Sequence, residues 1–242
     1  MSDDSVVSMW MWRDYNQLPE SAFDQYQQCL SDSEQQRLQN ISAARRRREY
    51  IAGHFLLRSH LNAVNPKWLS NHSVEHPQDA APFLKGAEED EVYFNLSHSH
   101  NVICCVVSLR AQVGVDIELP SKARSIQQIA EHYFSATEAE LIASLPSEDQ
   151  ALEFYRLWTL KESVVKARRK QLGPEGLRVE FSPRIKDENS DWYSYSFVSD
   201  DLYCALSLSQ PLVEPLTVSV YHLDMQFNTI EHPQLQCYTP IV

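Results

Sequence analysis

The 242-residue sequence predicts an α+β fold, with helices and strands gathered in separate runs rather than in strict alternation. Three observations carry this. Serine-led capping boxes stand at Ser31–Glu34 and Ser135–Glu138, marking helix starts. Apolar residues recur at three- and four-residue steps after Ser42 and again after Ser147, while period-two alternation fills residues 92–118 and 193–220.

Taken in order, residues 6–12 read as a short strand. Ser31-Asp32-Ser33-Glu34 opens a helix that carries Arg37 and Leu38. After Ser42 the spacing of Ile51, His54, Arg58 and Leu61, with Leu57 and Val64, predicts a long helix. Its first turn and a half holds Arg45, Arg46, Arg47 and Arg48, charges that oppose the macrodipole at a helix start. Such a run is ordinarily a solvated face, but in a chain of net charge −12 it gains weight as an anion site.

Residues 65–86 are loop-like. Val92–Leu96, Val102–Leu109 and Val113–Glu118 read as a three-stranded meander, with Ser97–Asn101 as a turn. Residues 120–127 are a polar connection. With the strand before it given to the second half, the chain divides into 1–112 and 113–242. Ser135 opens a helix to Leu145, and a third box, Ser147-Glu148-Asp149-Gln150, opens another to about Ala167. A turn at Gly173–Gly176 leads to a strand Leu177–Phe181. Alternation through Tyr193–Phe197, Leu202–Leu208 and Leu216–Val220 predicts an antiparallel sheet, and the tail from His232 reads as irregular.

Composition excludes several classes. Hydrophobic residues at 43% and charged residues at 22%, with five glycines, describe a folded globular chain. A charge of −12 argues against nucleic-acid binding, which depends on Lys and Arg neutralising phosphates. The segment Met1–Asp4 lacks the basic and apolar regions of a secretory leader, and the longest apolar run, Val102–Val107, is too short to span a membrane. The five cysteines form no C-x-x-C pair, and Cys104 and Cys105 sit in an apolar strand as buried thiols, so a reducing cytoplasm is expected.

The chemistry gathers at Val113-Gly114-Val115-Asp116-Ile117-Glu118, where two carboxylates two residues apart share one strand face. Alone, such a pair is commonly structural. Downstream, Tyr155, Trp158, Glu162 and Val165 fall on one helical stripe, so Glu162 lies among apolar residues, with Lys166 one turn on. An exposed Glu162–Lys166 ion pair would be worth only a few tenths of a kcal/mol, roughly. A carboxylate in an apolar stripe instead calls for a partner or a cation. Three carboxylates and a lysine suggest Mg²⁺ and a phosphate.

Asn95-Leu96-Ser97-His98-Ser99, then Val113–Glu118, then Phe134-Ser135, then Trp158-Thr159-Leu160-Lys161-Glu162-Ser163 with Lys166-Ala167 resemble the signature blocks of the 4′-phosphopantetheinyl transferases. The likeness is to the longer, monomeric type that activates peptide, polyketide and fatty-acid synthases. It implies a pseudo-twofold pair of similar α+β halves with the active site between them. It also implies transfer of the 4′-phosphopantetheine arm from coenzyme A to a serine of an apo acyl or peptidyl carrier protein. By position, Asp116, Glu118 and Glu162 would hold Mg²⁺, with Glu162, Lys166 and Asp116 serving catalysis. Coenzyme A would meet Arg48, Arg58, Pro82, Ser97, His98 and Lys166, Arg48 being the choice for the 3′-phosphate.

The physics agrees, since a metal and a lysine on a diphosphate lower the barrier electrostatically, and a buried Glu162 has its pKa raised toward that of a general base. Where the family carries Gly-Lys-Pro, this chain has Ala80-Ala81-Pro82, which removes a lysine contact. The alternatives are a Mg²⁺-dependent phosphohydrolase acting with water, and a non-catalytic module that binds coenzyme A or a carrier. Neither nucleic acid nor membrane is expected as a partner, and a monomer is expected.

Overall fold

A computed structural model describes residues 7–77, 81–86, 92–109, 111–120, 125–168, 180–183, 191–222, 228–231 and 233–241. Along the chain run β1 (Val7–Arg13), α1 (Glu20–Gln27), α2 (Asp32–Gln39), α3 (Ala44–Val64), α4 (Trp68–Asn71), β2 (Ser73–Glu75) and β3 (Phe83–Lys85). Next come β4 (Val92–Ser99), β5 (Val102–Leu109), β6 (Val113–Glu118), α5 (Ile126–Tyr133), α6 (Ala136–Ser144) and α7 (Ser147–Ala167). The rest is β7 (Glu180–Pro183), β8 (Tyr193–Ser199), β9 (Leu202–Leu208), β10 (Thr217–His222), β11 (Asn228–Glu231) and β12 (Gln236–Ile241). The fold class is α+β, as the sequence predicts.

Two compact units divide the chain: residues 1–111 with 213–232, and residues 112–212 with 233–242. The first holds the sheet β11-β10-β1-β5-β4. Its 21-residue helix α3 lies on β5, burying Ile51, Leu56, Leu57 and Leu61 with Ile103, Cys105, Val107 and Trp12. The second unit repeats this construction. Its sheet is β6-β9-β8-β12-β7, and the 21-residue α7 packs against β6, β9 and β8. The tight turns of the two central hairpins also correspond, each placing one residue in the left-handed region, His100 at φ 54° and Asp200 at φ 53°.

The expected cut at 112/113 does not describe these units. Alternation at Leu216, Val218 and Val220 identifies a strand and its buried face but not its neighbour, and β10 pairs parallel with β1, Met9 opposite Val218 and Met11 opposite Val220. Residues 213–232 thus return to the first unit. For the same reason the expected meander stops at β5. Strand β6 instead pairs antiparallel with β9, Val115 opposite Leu206.

Two of the three predicted capping boxes form, at Ser31–Glu34 and Ser135–Glu138. The third does not: Pro146 takes the N-cap place of α7 at φ −53° and ψ 147°, and Ser147 is already helical. The tail expected to be irregular forms β12. Its Pro240 pairs with Phe181 of β7, past the last β8 pair at Tyr238, so the missing N–H interrupts no ladder to β8. The loop-like stretch 65–86 contains α4 and the β2–β3 pair. The turn Gly173–Gly176 and the first residues of the strand expected at Leu177–Phe181 lie outside the described residues.

Candidate active site

In the second unit, Gly114 lets β6 approach α7. A Cβ there would stand 2.1 Å from the Ser163 carbonyl oxygen and 2.3 Å from the Ala167 nitrogen, both helix backbone. Only glycine tolerates that approach. Two residues on, buried Asp116 receives the Lys166 ammonium on Oδ1 at 2.7 Å. Close packing of strand and helix therefore brings the sequence-predicted Asp116 and Lys166 into contact across 50 residues of chain.

Glu162 lies one turn before Lys166 and is half-buried. Desolvation raises its carboxyl from 4.5 to about 7, the charges of Asp116 and Glu118 add to that rise, and Lys166 opposes it. This is the direction the apolar stripe predicts. It also places Asp116, Glu118, Glu162 and Lys166 in one electrostatic cluster. Oxygen donors of this kind suit a hard cation. Among the described residues, however, no three His, Cys, Asp or Glu side chains already converge as a metal site. The positive charge on Asp116 is the lysine's.

Around this cluster the apolar stripe is aromatic. Trp158 packs on Phe154, Phe134 and Tyr133, and Tyr155 stacks on Tyr203 of β9 at 5.5 Å between centroids. Beneath it Lys161 is buried, its ammonium 2.7 Å from Glu138 Oε2 and 5.0 Å from the centre of the Phe134 ring. Sequence reading missed this pair because Glu138 was already accounted for as a cap.

The first unit holds the remaining predicted residues but does not gather them: Ser97 and His98 line one cavity, Arg48 a second and Arg58 a third. The first of these, of about 370 Å³, is lined by Arg37, Arg46, Tyr50, His76, Ser97 and His98 among others. Here His98 Nε2 donates to Glu49 Oε1 at 2.6 Å, and Arg46 reaches the same oxygen at 3.3 Å. Tyr50 and His76 stack at 5.7 Å, and burial, reinforced by the neighbouring His54 and Arg37, pushes His76 down to about 3. At neutral pH it is an uncharged ring.

Arg48, Arg58 and Pro82 do not line this cavity. Arg48 pairs with Glu20 and lies over the Phe23 ring in a second cavity, of about 760 Å³, which also holds Arg45 and Arg47. Arg58 is bidentate to Glu34. Burial works to raise that glutamate, but hydrogen bonds from His54 and Arg58 outweigh it and hold the carboxyl down at about 2. Pro82 stands half-buried just ahead of β3. Glu49, Tyr50 and His76 were not picked out in the sequence, and Arg46 only as one of the Arg45–Arg48 run. The signal available was Glu49 directly after four arginines, one turn beyond Arg46.

Comparison with known proteins bears on this arrangement. A family model described as the 4′-phosphopantetheinyl transferase superfamily matches residues 112–209. The chain is 32% identical over 158 residues to the 4′-phosphopantetheinyl transferase HetI of Nostoc sp. strain PCC 7120, covering 65% of this chain and 67% of that protein. It is 32% identical over 176 residues to the 4′-phosphopantetheinyl transferase AcpT of Salmonella typhimurium, covering 72% and 76% respectively. Similarity to the 4′-phosphopantetheinyl transferase gsp of Aneurinibacillus migulanus is 30% over 165 residues, covering 67% and 65%.

Proposed function

The chain belongs to the 4′-phosphopantetheinyl transferase superfamily, and on that premise we propose that it moves the 4′-phosphopantetheine group of coenzyme A onto a serine of an apo carrier protein. The serine oxygen forms the new bond to phosphorus, the pyrophosphate P–O bond breaks, and adenosine 3′,5′-bisphosphate leaves. The observation that carries this reading is the cluster of Asp116, Glu118, Glu162 and Lys166, with Glu162 raised to about 7.

We assign Mg²⁺ to Asp116, Glu118 and Glu162, whose oxygens fit a hard cation once the Lys166 charge is shared with a substrate phosphate. When bound, the ion neutralises charge on the diphosphate. The protein's own groups do the rest. Lys166 is held within reach of anionic oxygen by its bond to Asp116 and donates to the pyrophosphate. Glu162, as ligand or as base, acts in its ionised form, and a carboxyl near 7 accepts a serine proton more readily than an ordinary one. We place the nucleotide phosphates of coenzyme A with His98, Arg37 and Arg46 rather than with Arg48 and Arg58, whose guanidiniums are bound to Glu20 and Glu34.

A free-thiol chain acting on coenzyme A suits the cytoplasm, where we place it as a monomer. None of the described helices is long and apolar enough to cross a membrane. The test is intact-mass spectrometry. With coenzyme A and Mg²⁺, an apo carrier gains one phosphopantetheine, and chelation stops the gain. No gain across a panel of apo carriers refutes the transfer, and adenosine bisphosphate released without any carrier marks a hydrolase.

A further inference from the structure

His98, a predicted phosphate contact, pairs across the first unit with the carboxylate of Glu49. Its imidazole is 44% exposed, whereas the Glu49 side chain that receives its Nε2 hydrogen is only 10% exposed. The carboxylate is thus a buried floor beneath an exposed ring. Glu49 belongs to α3 and His98 to β4, so the contact joins two elements through residues 49 positions apart and is not a local helix pair.

A carboxylate lining a cavity that receives phosphate repels its ligand unless it does something else there. The bland account is an i,i+3 pair with Arg46, but Arg46 is 65% exposed and sits farther away, at 3.3 Å against 2.6 Å for His98. Burial tends to raise Glu49, and the His98 hydrogen bond with the His98 and Arg46 charges brings it below its ordinary value, so it is ionised at neutral pH. Held by that anion through one nitrogen, the imidazole loses its free rotation and presents Nδ1 in a single direction.

We infer that Glu49 is a positioning residue for coenzyme A binding, fixing the His98 ring so that, when the ring carries hydrogens on both nitrogens, Nδ1 donates to a phosphate of the nucleotide. The inference rests on the assignment of His98 to coenzyme A made above. Ligand-binding histidines elsewhere are commonly oriented by a carboxylate on the second nitrogen, and the same economy of rotation applies here.

The test is steady-state kinetics of the transfer with Glu49→Ala, Glu49→Gln, His98→Ala and the Glu49→Ala/His98→Ala double variant, with thermal melting alongside. Glu49→Ala raises KM for coenzyme A about tenfold, the size expected for a hydrogen bond to a charged group, with kcat and the carrier KM unchanged. Glu49→Gln, which keeps an acceptor for Nε2–H, recovers most of the loss. In the His98→Ala background, Glu49→Ala adds less than about twofold, since the ring it positions is gone. If both Glu49 variants lower KM, the carboxylate acts only by repulsion and the inference is overturned. It is equally overturned if the Glu49→Ala effect persists undiminished without His98. An unchanged KM in His98→Ala removes the His98 assignment itself, and the inference with it. Should Glu49→Ala melt early, the Glu49→Gln pair of measurements, with and without His98, decides by the same coupling.

Discussion

Replacing Glu162 by glutamine tests the site without touching the substrate. In the folded protein its carboxyl is raised from 4.5 to about 7, foremost by desolvation and then by Asp116 and Glu118 against the pull of Lys166. The folded state therefore holds the Glu162 proton more tightly than the unfolded chain. That contribution to stability is fully present below about pH 4.5 and is lost as pH rises to about 7. At about 1.36 kcal/mol per tenfold change in proton affinity, the loss is on the order of 3 kcal/mol. Glutamine mimics the protonated group at every pH. Urea unfolding in chelator should then give Glu162→Gln and wild type equal stability near pH 4, with the variant more stable by up to about 3 kcal/mol at pH 8. Under the proposed assignment, added Mg²⁺ should favour the wild type and shrink the difference, because an ion held by the folded cluster stabilises only the folded state. A difference that stays flat from pH 4 to pH 8 refutes the account of a desolvated, crowded carboxylate, whatever the variant does to turnover.

Gly114→Ala should destabilise the protein toward the upper end of the roughly 1–3 kcal/mol typical of overpacking, since its Cβ would meet helix backbone at 2.1 and 2.3 Å and force β6 off α7. Denaturation midpoints measure the loss, and an unchanged midpoint would show that strand and helix are not in that contact. Arg37→Ala should raise KM for coenzyme A about tenfold while Arg48→Ala leaves it within about twofold, because Arg37 lines the cavity of His98 and Arg48 is spent on Glu20. The opposite ranking would return the phosphate to the larger cavity.

The legible part of the molecule was whatever a local pattern determines. Serine boxes at Ser31 and Ser135 start helices where expected, and alternation found β4, β5, β6, β8, β9 and β10. The D-x-E of β6 and the E-x-x-x-K of α7 were read as one chemistry, and the structure joins Asp116 to Lys166. Strand partners were legible where a tight turn joins them, β4 with β5 and β8 with β9, and not across longer connections. Period two says which face of a strand is buried and nothing about its neighbour, so β6 and β10 were given wrong ones. Helix α5 was passed over because its eight residues lie against a polar connection, and β12 because a proline late in the strand masks its pairing.

Charge was the least legible feature, because a cation's availability depends on the anion that folding brings to it. Arg58 shares a helix face with His54 and looks like a ligand contact, yet α2 delivers Glu34 to both. That glutamate also receives the Ser31 backbone N–H at 2.7 Å as the capping-box residue. The second unit repeats the device, with the capping glutamate Glu138 reaching the buried Lys161 on α7 at 2.7 Å. In each unit one carboxylate closes a short helix and neutralises a cation on the long one. Removing either carboxylate takes the close counter-charge from a buried cation, which is far costlier than losing a surface pair. The S-x-x-E motif thus fixes tertiary structure as well as a helix start. The basic residues proposed to meet an anionic substrate pair instead with carboxylates at the cluster and the cavity, Lys166 with Asp116 and Arg46 and His98 with Glu49.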